Sequence, residues 1–243
     1  MAMVWRPRTG ACPAVAAAVA LLSTLTACGG GGGEESASEA RGTVRGKPLS
    51  AAGLEQAVVT EADLAGYEIN RTVTATGASR RTAEPAACAP VVQALGGSSG
   101  LAAVARAGRI IALKKDSATG ATMVLSSHGG QNAAQVIESL RTAAEECGTF
   151  KDVSVGFRYD DVEVRPDPGY GDDSVSLRLT QLAALDEDEE PVRVPFAVLA
   201  VRKGATVALF CEFNRPGATG EADPAVVPPA IVEAQLKKLT TPG

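Results

Sequence analysis

Two runs near the end of the chain constrain the fold most. Pro195 to Val201 and Thr206 to Phe213 are apolar on both faces, and only Arg202-Lys203-Gly204-Ala205 separates them. Successive strand side chains point to opposite faces, so such runs belong inside a sheet, and so short a link makes them antiparallel neighbours. They form a central hairpin. Upstream, Val175, Leu177 and Leu179 alternate with Ser176, Arg178 and Thr180, one face to the core and one to water. Val153, Val155, Phe157 and Tyr159 alternate in the same way and predict another strand. Asp160-Asp161 then shifts the phase so that Val162 and Val164 carry the apolar face, which calls for a bulge or turn at the doublet.

Earlier segments show helical spacing. In Gln131 to Cys147 the residues Ala133, Ile137, Leu140, Ala144 and Cys147 step by four, three, four and three, and Gly148 stands where a C-cap is expected. Cys88, Val91, Val92 and Leu95 share one face of a helix over Ala86 to Leu95. Ser50 to Val58 is a short helix, and Thr60-Glu61-Ala62-Asp63 has the shape of a capping box for a turn ending at Gly66. Tyr67 to Thr76 reads as a strand. Arg80 and Arg81 read as a solvated pair in a polar loop. Ala105 to Lys115 and Gly120 to Ser127 form a hairpin, with Ile111 and Leu113 facing Met123 and Leu125 across a turn at Asp116 to Gly120. A last helix opens at Pro228-Pro229, with Val232, Leu236 and Leu239 as its stripe and Lys237 and Lys238 at its C-terminal dipole. This order predicts an α+β fold, a single domain with a twisted, mainly antiparallel sheet packed by helices.

The N-terminus sets where such a domain works. Arg6 and Arg8 precede an apolar core from Ala14 to Leu25, which is shorter than a membrane span, and Leu25-Thr26-Ala27-Cys28 follows as a lipobox. Residues 1–27 are therefore expected to be a cleaved lipoprotein signal peptide, with Cys28 taking the lipid that anchors the protein on the extracytoplasmic face of the cell membrane. Residues 28–47 are Gly-, Ser- and Glu-rich, too poor in apolar groups to order themselves, and form a tether with a reach of about 25 Å. The folded domain is 48–243. The whole chain carries 28 acidic against 23 basic residues, and loss of Arg6 and Arg8 makes it more acidic still. That balance argues against nucleic acid and leaves membrane attachment to the lipid.

Cys12 leaves with the leader, and Cys88, Cys147 and Cys211 remain for an oxidising compartment. Cys88 and Cys147 lie on inward helical stripes and are the favoured pair; pairings through Cys211, which sits mid-strand, stay open. The catalytic patterns have plain alternatives. Gly96-Gly97-Ser98-Ser99-Gly100 matches G-x-S-x-G, but a helix leads into it where a nucleophile elbow needs a strand, and His128 sits in an ordinary strand-to-helix turn. No zinc spacing surrounds His128. The acidic run Asp186 to Glu190 lacks the spaced ligands of a calcium loop and reads as a hairpin tip, and Asp167 to Asp173 reads as a tight turn. No enzyme, metal or cofactor is expected.

Several short segments together resemble actinobacterial lipoproteins with a PknH-like extracellular sensor domain: Thr60 to Tyr67, Cys88-Ala89-Pro90, Glu146-Cys147, Gly171-Asp172-Asp173, Ala200 to Gly204, and Ala234 to Leu239. The resemblance covers roughly residues 48 to 241. It implies an α+β sensor domain outside the membrane, a cleft for an unidentified ligand and no catalytic residues, and it supports a Cys88–Cys147 bridge. It also implies a second disulfide, for which this chain has too few cysteines. The expected function is a non-catalytic ligand-binding or sensor domain for a small molecule or envelope component. The alternative is an envelope interaction protein that binds a membrane-protein partner.

Overall fold

A computed structural model describes residues 46–74, 77–183, 190–217 and 222–240. The leader, Cys28 and nearly all of the tether lie outside the described residues, as does the acidic run apart from Glu190. The described residues belong to one compact unit, Gly42–Gly243. Its elements in chain order are α1 (Ala51–Ala57), β1 (Tyr67–Thr72), β2 (Ala83–Glu84), a 3-10 turn (Ala86–Cys88), α2 (Ala89–Leu95), β3 (Ala105–Leu113), β4 (Asp116–Ser127), α3 (Asn132–Glu146), β5 (Phe150–Asp152), β6 (Arg158–Arg165), β7 (Asp173–Ala183), β8 (Val192–Lys203), β9 (Thr206–Phe213) and α4 (Pro229–Thr240). The strands form one antiparallel sheet in the order β1-β3-β4-β9-β8-β7-β6-β5-β2. The expected hairpin is β8 with β9, turning at Gly204-Ala205, and it lies at the middle of the sheet.

Helices cover both faces, each over a different part of the sheet. Side chains of α1 and α4, including Leu54, Ile231 and Val232, pack with Ile111, Met123, Leu125 and Phe210 of β3, β4 and β9. On the opposite face Val91 and Val92 of α2 and Ile137 and Leu140 of α3 pack on Leu177, Val198 and Leu209 of β7, β8 and β9. Alternation in β9 serves both cores, with Leu209 and Cys211 in one and Ala208 and Phe210 in the other. That is why the run is apolar at successive positions.

Buried polar groups finish the α1/α4 layer. Ser50 caps α1, its Oγ accepting the Gly53 N–H at 3.2 Å. Gln235, fully buried on α4, accepts the Val59 N–H at 3.0 Å and donates to the Ala57 carbonyl at 2.8 Å, satisfying the end of α1. Arg109 is 4% exposed and donates to Glu55 of α1 at 2.7 Å. The expected turn after α1 is built from Thr60, whose N–H and Oγ1 both donate to Asp63, and it ends at Gly66 with φ +86°. The phase shift at Asp160-Asp161 is a bulge, with Asp161 at φ +52° and the β6–β7 register slipping between Asp160 and Glu163.

Three sequence expectations are corrected. In the β3–β4 hairpin, Leu125 faces Ala107, Met123 faces Arg109 and Ile111 faces Ala121, because the chain turns tightly at Lys114-Lys115 and β4 already begins at Asp116. Gly120 is thus not a turn glycine. It lies opposite Ala112 at a register irregularity, where a Cβ would collide with the Ile111 carbonyl. Second, Val153 to Tyr159 is not one strand: β5 ends at Asp152, and the chain turns through Val153–Gly156. Asp152 drives this turn, accepting the Ser154 N–H on its carboxylate at 2.9 Å and the Gly156 N–H on its carbonyl at 2.8 Å. Val153, Val155 and Phe157 are left exposed. Third, Gly148 keeps a negative φ, so α3 ends without a left-handed cap.

Candidate functional site

Cys88 and Cys147 are joined by a disulfide, with their Cα atoms 5.7 Å apart, tying the start of α2 to the end of α3. Cys211 is a buried free cysteine in the same core, and burial pushes its thiol up to about 12, so it stays protonated and packs as a small apolar group.

The basic doublet departs from its sequence reading. Arg80 is exposed, but Arg81 forms an ion pair with Asp152, whose side chain is fully buried. The same guanidinium lies near buried Tyr159, whose pKa is pushed up to about 12, chiefly by burial. Arg81 is therefore a structural cation clamping the loop before α2 onto β5 and β6.

Ser98 and His128 are not brought together as a catalytic pair. Ser98 follows α2 and accepts the Gly100 N–H at 3.2 Å. His128 is fully buried, Nε2 lying 2.9 Å from Ser126 Oγ and Nδ1 3.3 Å from the Ala102 carbonyl, and burial lowers its pKa. The Asp167–Asp173 segment is a turn held by its own acids. Asp167 accepts from Gly169 and Ser174, while Asp172 accepts from Lys203 and the Gly204 N–H. Gly171, at φ +68°, approaches Arg202 so closely that a Cβ would collide with the backbone there.

The concave site lies where α2 and α3 stop. They cover β6 to β9, and the same face of β3 and β4 continues past them uncovered. Ile110 (47% exposed) and Thr122 are accordingly open to solvent in the body of the sheet. The result is a cleft of about 660 Å³ with Ile110, Thr122, Val124, Leu209 and Cys211 as its floor, walled by the 77–80 loop and by Gly96–Ser98 after α2. Glycines permit the walls. A Cβ at Gly96 would strike the Arg81 side chain, one at Gly97 (φ +70°) would press on Val124 at 3.3 Å, and one at Gly108 would strike the methyls of Thr72 and Thr74. The Gly-Gly pair that opens the G-x-S-x-G match thus serves close approach.

Arg106 stiffens the cleft. From β3 it donates to the Gly77 carbonyl at 3.2 Å, the Leu101 carbonyl at 2.6 Å and Ser99 Oγ at 3.0 Å, so one guanidinium holds both wall loops. The chemistry is an apolar floor, threonine hydroxyls at 72, 74 and 122, and exposed Arg80 at the mouth. Such a surface suits a small molecule with an apolar body and a polar or anionic end. Sequence reasoning weighed Cys211 only as a thiol and did not single out Ile110, Thr122, Val124 or Leu209. The one local signal was Ile110 next to Ile111, two large apolar neighbours that face opposite sides of a strand.

Fold and site together define an α+β domain with a disulfide-bridged helix pair beside an open cleft. No family model matches the chain, and no curated protein matches it. Among solved structures, it is similar to the crystal structure of the extracellular domain of PknH from Mycobacterium tuberculosis. The two are 12% identical, the match covers 79% of this chain and 96% of that one, and the TM-score is 0.47. Among the described residues no helix is long and apolar enough to cross a membrane.

Proposed function

We propose that this protein is a lipid-anchored extracytoplasmic lipoprotein whose domain is a non-catalytic ligand-binding or sensor module, taking a small apolar-bodied molecule or envelope fragment in the cleft beside α2. The cleft carries the reading: an apolar floor and a few convergent polar groups are what a small-molecule site requires. The lipobox ending at Cys28 supports the anchor, and the Cys88–Cys147 bridge suits an oxidising compartment. Native mass spectrometry of protein purified from its own membranes tests the site. A co-purified small molecule is expected, and it should be lost in Thr72→Trp, which places a large side chain at the cleft wall. A clean mass for the native protein, or a ligand retained in Thr72→Trp, would remove the cleft from consideration. For the anchor, Cys28→Ser should leave the protein unprocessed or released from the membrane fraction.

One observation favours the second reading, an envelope protein that docks on a membrane-protein neighbour. Val153, Val155 and Phe157 project from the β5–β6 turn at 52%, 51% and 43% exposure, a grouping of apolar side chains that water disfavours. Crosslinking from position 155 to a single membrane protein, with no small molecule in the native mass, would establish that reading instead.

A further inference from the structure

The sheet opens between β4 and β9 at one end. The two strands pair from Ser127 opposite Thr206 to Thr122 opposite Cys211, and there the ladder stops. Beyond it, Ala121 and Gly120 stay with Ile111 and Ala112 of β3, while Glu212 and Phe213 stay with Ala197 and Phe196 of β8. The gap leads into a cavity of about 850 Å³, bounded on its far side by Asn214, Arg215, Ala222 and Asp223. Asn214 fastens that side, its amide donating to the carbonyls of Asp223 at 3.0 Å and Pro224 at 3.2 Å.

Glu212 stands in this gap. It is 7% exposed, the Gly120 N–H lies near its carboxylate across the opening, and Oε2 has no hydrogen-bond partner among the described residues. A buried carboxylate oxygen without a donor is strongly unfavourable, so its retention in an otherwise apolar strand points to a donor that arrives from outside. Burial pushes this carboxyl up to about 7. Among the described residues, the other ionisable groups lining the cavity are Asp116, Asp223, Arg215 and the Cys211 thiol. Arg215 lies over the Phe213 ring, 5.8 Å from its centroid, which shows that a cation suits this aromatic face. Among the described residues no three acidic, histidine or cysteine side chains are grouped closely enough for a metal ion.

We propose that the opening between β4 and β9 is a second binding site, for a protonated amine whose N–H groups donate to Glu212 Oε2 within the opening and whose apolar body passes through it onto Ile110 and Phe213 on the α2/α3 side of the sheet. The site is separate from the wall loops of the cleft, although the two share Ile110, Thr122 and Cys211 on the sheet. Ammonium recognition requires the ionised carboxylate, so affinity rises with pH as Glu212 loses its proton.

Calorimetric titration of the full-length protein with benzylamine, against benzyl alcohol and benzoate as neutral and anionic counterparts, tests the proposal. At pH 8 benzylamine should bind roughly tenfold or more tighter than either counterpart, and at pH 5.5 its affinity should fall by roughly tenfold or more while the amine itself stays charged. Glu212→Gln keeps an acceptor near Gly120 and should abolish both the preference and its pH dependence. The pH titration of the native protein needs no variant and stands even if Glu212→Gln folds poorly. No benzylamine binding, equal affinity for the three probes, a preference for benzoate, or a preference that survives in Glu212→Gln would each overturn the proposal.

Discussion

The two faces of the sheet are closed in different ways. On one, α1 and α4 seal β3, β4 and β9 with complementary apolar packing, two hydrogen bonds from buried Gln235 and the Arg109–Glu55 ion pair. On the other, α2 is seven residues long, about two turns, and covers little alone. There α3 packs a large apolar core over β6 to β9, while a disulfide, the Arg81–Asp152 pair and the Arg106 clamp hold the parts around the cleft, where the sheet stays bare. A face that must keep an open cleft forgoes apolar burial where the cleft lies, so its walls need fixing by bonds of another kind. Burial favours closing a groove, whereas a covalent bridge and buried ion pairs position a wall without filling the space beside it.

This contrast predicts where each perturbation will act, and the largest effect belongs to the bridge. Replacing Cys88 and Cys147 together by alanine frees a loop spanning 59 residues and should cost about 4 kcal/mol in urea unfolding, in the chain-entropy account. Hydrogen exchange should quicken first in α2 and the 96–101 loop. Equal loss of protection in α1 and α4 would mean that the two faces are not held separately. Next comes Asp152→Ala, which strands Arg81 beside the buried Tyr159 and also removes the acceptor for Ser154; about 3 kcal/mol is expected. Asp152→Asn should cost less, since it keeps an acceptor for the Ser154 N–H.

On the sealed face the matching test is Gln235→Met, which preserves volume but leaves the Val59 N–H and Ala57 carbonyl without their partner. A loss of about 2 kcal/mol is expected in thermal unfolding, with no change in hydrogen-exchange protection of α2 and the 96–101 loop. That Gln235 matters was not legible in the sequence, where Val232, Leu236 and Leu239 mark the α4 stripe and a glutamine beside them reads as surface. Its partners lie 176 and 178 residues away. The same distance problem hid Arg81, whose carboxylate is 71 residues on, and the reason for Gly97, which is Val124. Local periodicity was legible: the α3 stripe, the Cys88 face, the central hairpin and the bulge at Asp160-Asp161 all stand as the spacing predicts. Where small residues alternate with apolar ones inside a turn, as from Val153 to Phe157, period two imitates a strand. The cleft itself could not be read, because it is set by where helices stop, and no residue pattern marks an end that is completed by distant side chains.

Acid should separate the faces by a smaller margin. The Glu55 carboxyl is held below its ordinary range mainly by the hydrogen bond from Arg109, and Asp63 is lowered mainly by Lys238, which reaches it from α4 at 2.5 Å. Both are carboxylates with folded values below their unfolded ones, so their contribution is complete above the unfolded range and is lost as pH falls through the folded values. The loss begins below about pH 4. The two side chains are 39% and 28% exposed, and solvent screening keeps each contribution below about 1 kcal/mol. Amides of α1 and of the turn after it should therefore lose protection before those of α2 and α3 as pH drops from 5 towards 3, since the disulfide does not titrate. If α2 and α3 open first instead, the ion pairs of the sealed face are ornament to its packing, and the asymmetry between the faces rests on apolar burial alone.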